Sequence, residues 1–146
     1  MKNRKKGFSL VELLIVLAVM AALIATITPV ALNAIKKSKA TQVGQNMKTL
    51  SSAFENALYV NDEVPSFTDL GRDIDKAKYD VVYTTSNGVY TVAVLTSDPV
   101  DEEALKGVLK DAAKGDYTKI SGMTSTGNTL YTGTTQYHYA FTFATY

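Results

Sequence analysis

Three hydrophobic patterns follow one another along the chain. Residues 8–32 are apolar almost without interruption. A membrane-spanning helix needs about 20 such residues at 1.5 Å each, and this stretch exceeds that. Thr26, Thr28 and Pro29 interrupt its later part. Proline removes one helical hydrogen bond and crowds the preceding turn, so a kink or local melting is predicted around residues 24–29. Threonine hydroxyls beside it are expected to take up the freed carbonyls.

In the second pattern, Val43, Met47, Leu50, Phe54 and Leu58 are spaced four, three, four and four apart, and Ala40 and Ala57 extend the stripe. This is the apolar face of an amphipathic helix, and such a face predicts core packing rather than a binding site. Gly44 lies within it and weakens the helix by about 1 kcal/mol relative to alanine. Asn61, Asp62 and Pro65 are stop signals. Residues 8–60 therefore read as one long helix with a kink, divided into a membrane or assembly part at 8–32 and an amphipathic part at 33–60.

The third pattern has period two. Residues 79–85 and 89–96 are β-branched and aromatic runs joined by Ser86, Asn87 and Gly88, a strong hairpin signal. Residues 97–115 read as a capped helix. Ser97 or Asp98 is its expected cap, Pro99 lies in its first turn, and Gly115 stops it. Its expected buried face is Val100, Ala104, Leu105, Val108, Leu109 and Ala112. Tyr137, Tyr139, Phe141 and Phe143 alternate with smaller or polar residues, which predicts a strand with its aromatic side on the long helix. Residues 129–133 are its expected partner strand. The predicted class is α+β: a long N-terminal helix packed on a small antiparallel sheet, with one additional helix, the head occupying residues 61–146.

Charge changes the picture at the N-terminus. The net charge is +1, so no global field points to a nucleic acid or an acidic substrate. Yet Lys2, Arg4, Lys5 and Lys6 crowd the first six residues, and Lys36, Lys37 and Lys39 follow the apolar block. The basic start predicts an N-terminus held in the cytoplasm. Between Lys6 and Lys36 the one charged residue is Glu12. A carboxylate within hydrocarbon costs about 2.5–3.5 kcal/mol on insertion scales, so a partner is expected for it. With no cysteine, disulfides and thiol chemistry are excluded.

"KKGFSLVELLIVLAVMAALIA" resembles the leader and N-terminal helix of type IV prepilins and the related pseudopilins. Gly7, Phe8, Ser9, Leu10, Val11 and Glu12 follow that family's order without departure. Pro29 resembles the helix-breaking proline common in these pilins. The resemblance implies that residues 1–7 are a leader removed between Gly7 and Phe8 by a prepilin peptidase, which N-methylates Phe8. It also implies that Glu12 pairs with the Phe8 ammonium of a neighbouring subunit. Glycine leaves the scissile backbone open to close approach, and a charge pair in an apolar filament core penalises a wrong register. The implied partners are other copies of the chain in a helical filament, the peptidase, the inner-membrane assembly machinery, and the membrane before assembly. The implied function is that of a type IV pilus subunit on the cell surface. The alternative within the family is a pseudopilin of a type II secretion or DNA-uptake machine, with a minor pilin a further variant.

Outside that family, a conventional signal peptide requires an A-x-A-like cleavage site after the apolar run, and "AALIATITPVA" offers no clear one. A plain membrane anchor leaves Glu12 unexplained. No catalytic residue is expected: His138 is alone in a strand, and Ser, Asp and His show no triad spacing. No metal or cofactor is expected either, because Asp69, Asp73, Asp75 and Asp80 do not follow the calcium-loop pattern and read as a solvated loop.

Overall fold

The computed structural model describes residues 7–115, 122–127 and 135–146, and the chain divides into two compact units, Met1–Ile35 and Lys36–Tyr146. Helix α1 runs from Leu10 to Asn61, 52 residues. Its start lies two residues later than the pattern predicts, and Phe8 is outside the helix. Its end matches the predicted stop. Asp62 takes the left-handed conformation (φ 52°), and its N–H donates to the Leu58 carbonyl at 3.1 Å.

In the first unit α1 remains helical through Pro29, so the expected melting is absent. Thr26 Oγ1 is shared between the carbonyls of Ala22 (3.2 Å) and Leu23 (2.9 Å), and Thr28 Oγ1 donates to Ile24 at 2.7 Å. The carbonyl that proline leaves without a helical donor belongs to Ala25. The threonines therefore back-bond the turn before it and do not replace the lost bond.

The second unit is a head built on the amphipathic part of α1. Ala40, Val43, Met47, Leu50, Phe54 and Leu58 are all 2% exposed or less, and Ala57 is half-buried. Full burial of each large side chain among them contributes about 1.5–3 kcal/mol. They face a five-stranded antiparallel sheet of order β3-β5-β2-β1-β4: β1 (Tyr79–Ser86), β2 (Val89–Thr96), β3 (Ala113–Lys114), β4 (Thr124–Ser125) and β5 (Tyr137–Ala144). The short helix α2 (Phe67–Leu70) adds two buried side chains, Phe67 and Leu70, to the same core.

The β1–β2 hairpin forms as predicted. Asn87 and Gly88 both have positive φ (51° and 77°), the conformation a two-residue turn between right-twisted strands requires. Strand β5 pairs along its full length with β2, from Val89↔Ala144 to Thr96↔Tyr137. The predicted partner strand, residues 129–133, lies outside the described residues. The aromatic side of β5 meets the long helix as expected: the Phe143 ring lies 6.5 Å from that of Phe54 and 5.7 Å from that of Tyr59.

Helix α3 (Glu102–Val108) is shorter than predicted, and its cap is Asp101. The Asp101 carboxylate accepts from the Ala104 N–H at 3.0 Å, so the helix cannot start at Ser97 or Asp98, and Pro99 lies ahead of it. Leu105, Leu109 and Ala112 are buried, whereas Val108 is 37% exposed. α1 and α3 approach at Gly44, where a built Cβ would lie 2.9 Å from Val108 Cγ1 and 3.1 Å from Val108 Cβ. Here the missing side chain, not backbone freedom, is what the site requires. Gly44→Leu should destabilise the head by about 1–3 kcal/mol, despite leucine's better helix propensity. Thermal melting of the solubilised chain checks this, and an unchanged Tm would show that α3 yields at no cost.

On the far side of the sheet Val82, Ala93, Leu95 and Met123 form a second small cluster. Asp80 is fully buried on that side, which corrects its placement in a solvated loop. The Ser125 hydroxyl lies 2.9 and 3.0 Å from its two oxygens. Burial pushes the Asp80 carboxyl up to about 6, against the lowering effect of the Ser125 hydroxyl and the Val81 backbone. The unfolded chain releases this proton near 3.8. Stability from this group is therefore full below about pH 4, falls as pH rises to about 6, and stays low above it. The span is up to about 3 kcal/mol. Asp80→Asn should flatten that slope and raise the Tm at pH 7 more than at pH 4. Parallel pH profiles for the two proteins would contradict it.

Candidate processing and assembly site

The first unit exposes what a water-soluble protein buries. Every large apolar residue of residues 8–35 is at least half exposed, from 50% at Leu13 to 84% at Phe8. So extended an apolar surface requires a non-aqueous neighbour, either lipid or other helices. The helix is long and apolar enough to cross a membrane.

Within residues 10–35 the one charged side chain, Glu12, sits at the helix start. Glu12 N–H donates to Ser9 Oγ at 3.2 Å, and Ser9 N–H donates to Glu12 Oε2 at 3.1 Å. These reciprocal bonds form a capping box, satisfying two backbone donors that a helix start otherwise leaves open. The carboxylate also lies at the positive end of the helix dipole. Leu13 N–H donates to the Ser9 carbonyl at 3.2 Å, completing the first turn. The capping role of Ser9 was not among the sequence expectations, although serine three positions ahead of glutamate before an apolar run is the signal for this motif.

Of the other residues singled out by sequence, Gly7 is exposed, and a Cβ built on it meets nothing within 4 Å. The fold itself does not require glycine there. Phe8 lies ahead of the helix, so its nitrogen and Glu12 do not share a helical i, i+4 geometry. Pro29 lies two turns before the end of the first unit, within unbroken helix. Gly7, Phe8, Ser9 and Glu12 thus cluster at the mouth of α1, and Pro29 stands well apart along it.

Comparison with known families gives this cluster its meaning. Residues 2–28 match the family model described as the prokaryotic N-terminal methylation motif. The chain carries the prepilin-type signature. No curated protein and no solved structure matches the chain. The prepilin-type motif ends one residue before Pro29 and takes in all four residues at the helix mouth. It implies processing by a prepilin peptidase, and together with the exposed apolar helix it supports membrane anchoring.

Elsewhere, the residues considered for other chemistry are in structural use. His138 Nδ1 lies 2.8 Å from the Gly115 carbonyl, to which it can only donate. Asp69 accepts from Ser66 Oγ at 2.6 Å, and Asp75 from the Ala77 N–H at 2.9 Å. Among the described residues no group of three or more His, Asp or Glu is placed to hold a metal ion.

Proposed function

We propose that this chain is a structural subunit of a type IV pilus, processed between Gly7 and Phe8, N-methylated at Phe8, and assembled through its N-terminal helix into a helical filament. The observation that carries the reading is the prepilin-type motif at residues 2–28, continuous with a helical stretch, residues 10–35, whose large apolar side chains are all exposed and whose one charge sits in its first turn. Before assembly the helix spans the cytoplasmic membrane, leader inside and head outside. Cleavage ahead of the apolar run leaves the helix on the mature subunit. In the filament the helices pack inside and the heads outside, each helix exchanging lipid for its neighbours with little net loss of apolar contact.

Glu12 is the register element. In the unprocessed chain its carboxylate is held by Ser9. Once Phe8 carries a free ammonium, a neighbour's positive charge offers a stronger, charge-assisted partner. Pro29, without a helical partner for the Ala25 carbonyl, marks where the helix can bend to fit the filament core.

The motif serves equally for a pseudopilin of a secretion or DNA-uptake machine. Deleting the gene and imaging negatively stained cells separates the two. Loss of long surface filaments, restored by the intact gene, is the expected result. Unchanged filaments with a secretion or uptake defect would replace the pilus reading by the pseudopilin one.

A further inference from the structure

The end of the apolar helix carries a second feature that processing and register do not use. Lys36, Lys37 and Lys39 follow Ile35, the last exposed apolar residue of the first unit, and all three are exposed. The ion pairs among the described residues are Lys78–Asp98 and Lys106–Glu102, so among those residues these three lysines have no counter-ion within 4 Å. Carboxylates share shallow hollows with two of them. Asp101 lies beside Lys36 and Lys39, and Asp73, Asp75 and Asp98 beside Lys39. Lys36 and Lys37 are therefore the less compensated pair. At about 100° per residue the three side chains span an arc of about 160°, so they share one side of the helix.

The dimensions fit one environment. Residues 10–35 rise about 39 Å as helix, close to the roughly 40–45 Å of a bilayer with its headgroup regions. A helix with its mouth in one headgroup layer thus delivers Lys36, Lys37 and Lys39 to the other.

Resting on the reading that this helix spans a membrane, we propose that Lys36, Lys37 and Lys39 dock on the anionic phospholipid headgroups of the leaflet opposite the leader. Ammonium groups on flexible stems bind phosphate as point charges and are favoured at a negatively charged surface. The precursor is then held at both faces, by Lys2, Arg4, Lys5 and Lys6 on one and by this cluster on the other. Removal of the leader releases one hold and keeps the second, which leaves the mature helix tethered from the head side alone. The same docking also places Glu12 in the near headgroup layer rather than in hydrocarbon, which lowers the cost of its charge before assembly.

The chain has no tryptophan, so Ile35→Trp provides a single reporter beside the cluster in the full-length protein. It would be reconstituted in phosphatidylcholine vesicles containing phosphatidylglycerol, with one lipid or the other brominated to quench the indole. Phosphatidylglycerol should be preferred at least about five-fold, the equivalent of one lysine held at a charged surface. The preference should fall close to unity in K36Q/K37Q/K39Q. It should persist in K2Q/R4Q/K5Q/K6Q and in a chain beginning at Phe8. Equal quenching by both lipids in the parent, or an undiminished preference in K36Q/K37Q/K39Q, would overturn the proposal. Absence of quenching by either lipid would overturn the membrane-spanning reading, and the proposal with it.

Discussion

Glu12→Gln should insert into the membrane and lose its leader normally, yet fail to enter filaments. Glutamine is the informative replacement because it separates the two roles of this residue. At the third position of a capping box glutamine serves nearly as well as glutamate, so the bonds with Ser9 survive. What glutamine removes is the charge. If the local cap were the whole function, Glu12→Gln would assemble like the parent, and only Glu12→Ala, which loses a cap contribution of about 1 kcal/mol, would be impaired. If the charge pairs with a neighbour's Phe8 ammonium, both variants strand that ammonium in an apolar core. Breaking a buried pair in this way costs about 3–5 kcal/mol, or roughly a hundred- to several thousand-fold in each subunit contact. Filament yield in the sheared fraction, compared with the amount of chain in the membrane fraction, reads the effect. Filaments of normal yield from Glu12→Gln would remove the register role and leave the cap.

Gly7→Leu should accumulate with its leader attached. The structural argument is that position 7 has no duty in the fold: it is exposed, and a Cβ meets no atom within 4 Å. Leucine is accommodated without strain, so a block in processing reports on access of a peptidase to the backbone between Gly7 and Phe8. Intact mass of the membrane-bound chain separates precursor from mature protein, which lacks residues 1–7. A small loss of cleavage would mean that the peptidase reads the surrounding residues more than the glycine. Complete processing of Gly7→Leu would argue against this bond as its site.

Both expectations concern a dozen residues, and those were the most legible part of the sequence. Order and residue type carried the signal there, and neither depends on distant contacts. The amphipathic stripe from Ala40 to Leu58 was legible for a similar reason, since helical periodicity records one buried face directly. So was the hairpin, because Asn87 and Gly88 are the residue types that adopt positive φ without strain. Where tertiary contacts decide, the sequence was less clear. For helix α3 the sequence pointed to Ser97 or Asp98 as the cap, but the helix starts after Asp101, whose carboxylate reaches an N–H three residues on. Asp80 looked like its acidic neighbours, but its place in β1 turns it into the buried side of the sheet, where the Ser125 hydroxyl donates to it. The alternation along β5 identified its aromatic side but not its partner, because strand pairing is non-local and β2 lies more than forty residues upstream. At the site itself, Ser9 was legible as part of the motif but not as the local partner of Glu12, because its cap depends on where the helix starts.

The account stands on one claim, that the apolar helix stays on the mature protein and its first residue becomes a methylated amine. Intact-mass and N-terminal analysis of the chain from sheared cell-surface material tests it directly. The predicted result is a chain beginning at Phe8 that carries one additional methyl group. A chain beginning beyond residue 30 would contradict the account: the apolar run would then be a discarded signal peptide, and the head an ordinary secreted domain.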